Sequence, residues 1–387
     1  MKTSTHSRPR VLIVLPWSPN LPGGVSVVVR SLISQWRKEG LFPTVMVSEW
    51  KASRPVVDEE GILNFRFTLL GSLSWLGLVK ATLTAPVRLW RTWRLLRANK
   101  VSALNFHYPS LDAFGVAMLK RLGLFRGRLV LSFHGTDARA PASLLESRLW
   151  RWLLGAADEV TACSGSLARK MADVFNIQVD RVTVLYNGVD TTVFAPDAAL
   201  RCAGLMAWQG EYVVSVGSYL PNKGHRVLLE AFATVSDCFP GLGLVIAGMD
   251  GPERVRLIEQ ARALGIYEGV FFLVNLNPFE VASLIAGARI CVQPSFSEAF
   301  GMVVIEAGAC GVPVAVSAVG GHLELVRARE TGYLFPVGDV AGCAAVLTQA
   351  LTNRKATRQM AQNFRECILS RYTWAACAGA YLRVLEG

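Results

Sequence analysis

Two carboxylates, Glu298 and Glu306, stand eight positions apart in the otherwise apolar run PSFSEAFGMVVIEAGACG, residues 294–311. Isolated acids in such a run are costly unless a ligand uses them. Upstream, the residues ICVQ read as a buried strand that Pro294, Ser295 and Ser297 stop. Downstream, Met302 to Ala309 is competent to form a helix until Gly311 and Pro313 end it. Glu298 is therefore expected in a loop at the carboxyl end of a strand, and Glu306 about two turns into the next helix. The backbone N–H groups from Ala299 through Phe300 and Gly301 to Met302 are expected to be the free donors of a helix N-terminus, which attracts anions. The matching ligand carries hydroxyls at both ends and phosphate between them. A nucleotide-sugar has that layout.

Other residues fit phosphate or proton chemistry. Gly23-Gly24 follows a first apolar strand and precedes a helix, where two glycines let a backbone approach a phosphate. Alone, such a pair is a common turn. His134 ends the strand LVLSFH and is followed by Gly135-Thr136-Asp137; His107, in FHYP, is a second candidate that reads as structural or as lining an acceptor. Lys223 lies in the segment VGSYLPNKGHRVLLEAF and offers a compact charge to a diphosphate oxygen.

Strands and helices that could position these groups alternate from end to end. VLIVLP, a helix over 25–38, TVMVS, ALNFH, LVLSFH, EVTACS and VTVLY form a first series. The pattern restarts after Asn187-Gly188 and Pro196 with YVVSVG, LGLVIAG, GVFFLV, ARICVQ and PVAVS. Alternation of this kind makes parallel sheets covered by helices. The expected fold class is α/β, with two Rossmann-like doubly wound domains joined near 187–210 and facing each other across a cleft. The expected boundaries are 1–195, 196–371 and a final helix over 372–387. Ligands are expected beyond the carboxyl ends of the strands.

The E-x7-E element with its internal F-G resembles the signature of family 4 of the glycosyltransferases, retaining enzymes of the GT-B fold. The resemblance covers nearly the whole chain and is tightest in the second half. It implies that the first domain binds the acceptor, the second binds the nucleotide-sugar, and the last helix crosses back to the first. It also implies transfer of a hexose from a UDP- or GDP-linked donor to a hydroxyl of a glycan or lipid-linked acceptor, in cell-surface polysaccharide or glycolipid synthesis. His134 falls on the family's active-site histidine, Gly23-Gly24 on its first-domain glycine loop, and Glu306 and Glu298 on its ribose and sugar carboxylates. Lys223 matches the lysine of the family's G-R-L-x-P-x-K-G loop, but Ser218 replaces the arginine there. An arginine fork binds phosphate better than a hydroxyl, so either His225 or Arg226 compensates or donor affinity is lower. Asn275 takes the place of a glycine beside the nucleotide base, and Gly320-Gly321 resembles the family's G-G-x-x-E turn. No cofactor or metal is implied, because no D-x-D element is suitably placed.

Composition narrows the setting. The 387 residues, 52% hydrophobic and 18% charged, describe a rich core and exclude general disorder. The eight cysteines show no metal-ligand or disulfide spacing and imply a reducing, cytoplasmic compartment; Cys291 and Cys310 read as buried thiols. The first apolar run is too short for a signal-peptide core. The net charge of +11 is uneven: residues 61–111 contain no acid. There Pro86 is expected to open a helix with Leu89, Trp93 and Leu96 on one face, Trp90 at its rim, and Arg88, Arg91, Arg94 and Arg97 opposite. Such a helix suits the anionic inner face of a membrane, with these arginines and indoles as contacts. An ordinary solvated basic face is the alternative, and a membrane span is interrupted by Lys80 and Pro86. No nucleic-acid recognition motif accompanies the basic residues. Competing functional readings are a non-catalytic nucleotide-sugar scaffold and a sugar-nucleotide epimerase on the same fold. A retaining glycosidase is disfavoured because its carboxyls must lie about 5–5.5 Å apart.

Overall fold

The computed structural model describes residues 9–48, 54–70, 73–200 and 210–387. Cys202 and part of the joint expected at 187–210 lie outside the described residues. Contacts divide the chain into two units, Met1–Tyr186 with Trp374–Gly387, and Asn187–Thr373. Both divisions differ from the boundaries at 195 and 371. Val189 donates its N–H to Tyr372 O (2.9 Å) and bridges Thr373, so these two segments zip together inside the second unit.

The first unit opens with β1 (Val11–Leu15), α1 (Gly24–Lys38), β2 (Thr44–Ser48), β3 (Val56–Val57), β4 (Leu63–Phe65) and α2 (Trp75–Ala98). It continues with β5 (Ala103–His107), α3 (Phe114–Arg121), β6 (Arg128–Phe133), α4 (Leu144–Ala156), β7 (Glu159–Ala162), α5 (Gly165–Phe175) and β8 (Val182–Val184). Strand order is β3-β4-β2-β1-β5-β6-β7-β8, and only the β3–β4 pair is antiparallel. Every residue of β1 and β5 is buried, as expected of parallel strands covered on both faces. Helix α1 buries Val28, Val29, Leu32, Ile33 and Trp36, a stripe at helical spacing.

The second unit runs β9 (Tyr212–Val216), α6 (His225–Ser236), β10 (Gly243–Gly248), α7 (Arg254–Ala263), β11 (Val270–Val274), α8 (Pro278–Gly287) and β12 (Ile290–Gln293). Then come α9 (Met302–Ala309), β13 (Val314–Ser317), α10 (His322–Leu325), β14 (Tyr333–Phe335), α11 (Val340–Thr352) and α12 (Arg354–Arg371). Its sheet is parallel throughout, in the order β11-β10-β9-β12-β13-β14. Leu228, Leu229, Phe232, Leu244, Ile246, Val292 and Leu347 meet in its core. Both sheets reverse their direction of winding at a central pair, β1/β5 in the first and β9/β12 in the second. Loops leaving those strands diverge and open a crevice at their carboxyl ends. The last helix, α13 (Trp374–Glu386), packs in the first unit against α1, β5 and β6. There Trp36 Nε1 donates to Ala378 O at 3.0 Å.

Helix α2 departs from expectation. It starts not at Pro86 but at Trp75, where the Ser74 side chain accepts from Gly77 N, and Pro86 sits inside it. Ala81, Thr92, Leu95 and Leu96 form its buried face, with Leu89 and Trp93 half-buried. Arg88 turns inward and donates to the carbonyls of Thr68 (2.9 Å) and Leu69 (3.3 Å). Its other side exposes an apolar stripe, Trp75, Val79, Leu83, Val87 and Trp90, at steps of three or four residues. Among the described residues no helix is long and apolar enough to cross a membrane.

Candidate functional site

In the second unit three loops converge at the carboxyl ends of β9, β12 and β13. The loop after β9 is anchored by Tyr219, fully buried, whose hydroxyl reaches Ile246 O (2.7 Å) and Leu273 O (3.0 Å). It ends in a short turn over Pro221–Lys223 and the left-handed Gly224 (φ 67°). A Cβ on Gly224 would collide with Pro294 O, and Phe296 N donates to Asn222 O at 2.8 Å, so the loops after β9 and β12 are stitched together. The loop after β12 is pinned in turn by the glycine pair after β13. Gly321 N donates to Glu298 O (3.0 Å), and a Cβ on Gly320 or Gly321 would strike the carbonyls of Glu298 or Phe300. Only glycines allow this approach.

The result brings Lys223 Nζ to 2.7 Å from Glu298 Oε2, with both side chains about four-fifths buried. Gly301 (φ 111°) then starts α9 without a side-chain cap. Met302 is the first residue of that helix, so Glu306 lies in its second turn, one turn nearer the loop than the sequence implied. Burial pushes the half-buried Glu306 carboxyl up to about 7. His322 is buried within reach of the Glu298 and Lys223 charges, and its Nδ1 lies 3.0 Å from Ser317 O.

Several expected contacts sit elsewhere. The Phe300 ring is buried against Tyr372 (centroids 6.1 Å apart), which leaves only its backbone at the site. Burial, and secondarily the charge of Lys223, pushes His225 down to about 3, and among the described residues neither ring nitrogen has a hydrogen-bond partner. A neutral imidazole brings no positive charge to a phosphate and offers one N–H where an arginine fork offers several. Arg226 and Asn275 are exposed, and Ser218 is half-buried. Asn275 holds φ 56°, a left-handed conformation that asparagine tolerates and glycine favours. Cys291 and Cys310 are buried thiols, in no disulfide among the described residues. Among the described residues no group of three His, Cys, Asp or Glu is placed to hold a metal ion.

In the first unit, Gly23 (φ 144°) enters α1, and a Cβ on Gly23 or Gly24 would meet open space. His134, half-buried just beyond β6, is bonded to the buried His107 at the end of β5: Nδ1 of His107 and Nε2 of His134 are 3.0 Å apart. The rings stack at 20° with centroids 5.2 Å apart. Burial pushes His134 down to about 4; burial and the neighbouring His134 push His107 well below its ordinary value. Asp137, whose carboxylate accepts from the N–H groups of His134 and Gly135, is raised by burial to about 6. The His107–His134 contact was missed in the sequence, where each histidine merely ends an apolar strand. Their strands are adjacent and in register, and that signal appears only after pairing.

The pattern described as Glycosyl transferases group 1 matches residues 207–366, and that of Glycosyltransferase Family 4 matches residues 22–193. The chain is 30% identical over 336 residues to D-inositol 3-phosphate glycosyltransferase of Rhodococcus erythropolis, covering 81% of this chain and 75% of that protein. It is 27% identical over 380 residues to phosphatidyl-myo-inositol mannosyltransferase of Mycobacterium leprae, covering 97% and 96%. The matches to other curated relatives span 62% or 47% of their length. Among solved structures, Anabaena HepE in complex with UDP and glucose shares the fold (TM-score 0.75, 21% identity, 98% of this chain and 100% of that one).

Proposed function

The chain belongs to the group 1, family 4 glycosyltransferases of GT-B fold, and from that premise we propose that it moves a hexose from a UDP- or GDP-linked sugar to a hydroxyl of a glycan or lipid-linked acceptor. The configuration at the sugar is retained in this reading. The observation that carries it is the Lys223–Glu298 pair at 2.7 Å, held in place by glycines that no other residue could replace. Lys223 and the first-turn N–H groups of α9 offset charge growing on the leaving diphosphate. Glu298 meets the hydroxyls of the sugar, and Glu306 those of the ribose. In the first unit, Gly23-Gly24 approaches a phosphate and His134 meets a sugar hydroxyl. No metal has an assigned role.

The binding of UDP and glucose by HepE supports a nucleotide-sugar donor. A lipid-linked acceptor is supported by the M. leprae relative, whose name specifies a phosphatidylinositol substrate. It is also supported by α2, which carries an exposed Trp/Leu/Val stripe together with exposed Arg91, Arg94 and Arg97 and no acid. A peripheral site on the anionic inner face of a membrane fits that surface. Ser218 and the neutral His225 favour one alternative, a nucleotide-sugar-binding scaffold without turnover.

The test is a thermal-shift screen of the purified chain against uridine and guanosine diphosphate sugars, followed by product analysis with candidate acceptors. Stabilisation by one nucleotide series and glycosylated product with retained configuration is the expected result. Stabilisation without transfer to any acceptor would favour the scaffold, and no stabilisation by either series would refute the donor site.

A further inference from the structure

Five polar side chains form one buried chain across the first unit's sheet. Asn105 and His107 alternate along β5, so both project to the same face. Ser132 and Thr161, paired in register on β6 and β7, meet them there. Tyr381 of α13 covers the group, with its ring 5.6 Å from that of His107, and is hydrogen-bonded with Ser132 and Thr161. Such a network inside an apolar sheet has to be satisfied throughout, and the placement of the Asn105 amide, Oδ1 toward Ser132 and Nδ2 toward His107, sets its direction.

The direction runs outward to His134. Thr161 Oγ1 donates to Ser132 Oγ (3.0 Å), and Ser132 Oγ donates to Asn105 Oδ1 (2.8 Å), an atom that only accepts. The Asn105 amide nitrogen is then left facing His107 Nε2 at 3.0 Å, and that nitrogen has to be bare to receive it. A neutral His107 carries its proton on Nδ1, which donates to His134 Nε2 across 3.0 Å. With Nε2 occupied as an acceptor, a neutral His134 has its proton on Nδ1, where it makes no protein hydrogen bond among the described residues.

We propose that Asn105 and His107 are positioning residues that lock His134 as the Nδ1-protonated imidazole, so that it offers a sugar hydroxyl oxygen a hydrogen-bond donor and no base. The substrate side rests on the reading of His134 as a sugar-facing residue; the lock itself does not. Protonating His134 on Nε2 would aim two N–H groups at each other. Burial of both rings acts in the same direction, favouring the neutral forms.

The lock is read directly from the tautomer. With five histidines in the chain, long-range proton–nitrogen correlation spectra of the full-length, histidine-labelled protein are assignable by single substitution. In the wild type at neutral pH, His134 is expected to show a protonated Nδ1 and a bare Nε2. In His107→Phe it should move toward the Nε2-protonated form, whereas the amide of His107→Asn should preserve the original signature. Turnover is expected to fall about tenfold in His107→Phe, with KM for the donor little changed, and to recover in His107→Asn. A wild-type His134 that is charged or protonated on Nε2 overturns the lock before any variant is made. An unchanged signature in His107→Phe overturns it too. A changed signature with unchanged turnover leaves the lock in place and overturns the sugar-facing role, while failure to bind any nucleotide-sugar would instead defeat the functional reading.

Discussion

Glu306 offers the sharpest test, because the proposed ligand role and its burial move two measurements in opposite directions. Burial raises its carboxyl from 4.5 to about 7. In the unfolded chain it ionises near the lower value. Between the two values the folded chain therefore keeps a proton that the unfolded chain has lost. The resulting stabilisation is complete below about 4.5 and disappears as pH rises through about 7. A shift of this size corresponds to about 3 kcal/mol between the two ends of the window. Glu306→Gln resembles the protonated side chain at every pH. At about pH 8.5 the variant is thus expected to be the more stable protein, with the unfolding midpoint of its unit raised by about 5–10 °C. At about pH 5 the difference should nearly vanish. The proposed ribose contact predicts the reverse for binding, since an ionised carboxylate accepts hydrogen bonds about twice as strongly as a neutral group. Glu306→Gln should then bind UDP or GDP roughly tenfold more weakly at about pH 8.5, and comparison with wild type cancels the titration of the phosphate itself. Calorimetry supplies both quantities. A midpoint difference that is the same at both pH values would refute the desolvation argument. Equal nucleotide affinity at about pH 8.5 would refute the ribose contact.

Other perturbations test the neighbouring parts. Lys223→Ala should lower turnover by a factor of about 10²–10³ in steady-state assays with the donor, and retention of half the activity would remove it from the diphosphate. Gly320→Ala places a Cβ against the Glu298 carbonyl at φ 49°, so chemical denaturation should show a loss of about 2 kcal/mol or more together with lost nucleotide binding. For α2, wild-type protein should sediment with anionic but not zwitterionic vesicles. Replacing Trp75, Leu83 and Trp90 by Ser, or Arg91, Arg94 and Arg97 by Gln, should abolish this, the arginines contributing about 1 kcal/mol each at low salt. Arg88→Gln should instead destabilise the fold, because its guanidinium is engaged with the Thr68 and Leu69 carbonyls. Binding to neither vesicle type would leave α2 as an ordinary domain surface.

The parallel strands were legible because they are buried on both faces. VLIVL and ALNFH, like ICVQ, are short, mostly apolar runs with glycine or proline nearby, and each became a strand. Strands β3, β4 and β14, each two or three residues long, were missed. Pro86 misplaced the start of α2. A proline suits a first turn, but here the Ser74 cap and the buried face of the helix outweigh its missing N–H.

The candidate site divides along the same physical line. The loops around Glu298, Lys223 and Gly320 were readable because glycines and isolated charges stand out against an apolar background, whatever lies beside them in space. What those residues touch was not readable. His225 beside Lys223 in sequence reads as a possible cation, yet its place on the buried face of α6 makes it neutral. Asn105, Ser132 and Thr161 attract no notice one at a time, since each is a single polar residue in an apolar strand. Side by side on three paired strands they become a directed hydrogen-bond chain. A polar residue at an inward position of a doubly covered strand is expensive unless a neighbour answers it. Three such residues in consecutive strands therefore make a network the economical explanation, and the histidine where it ends is the place to look for chemistry.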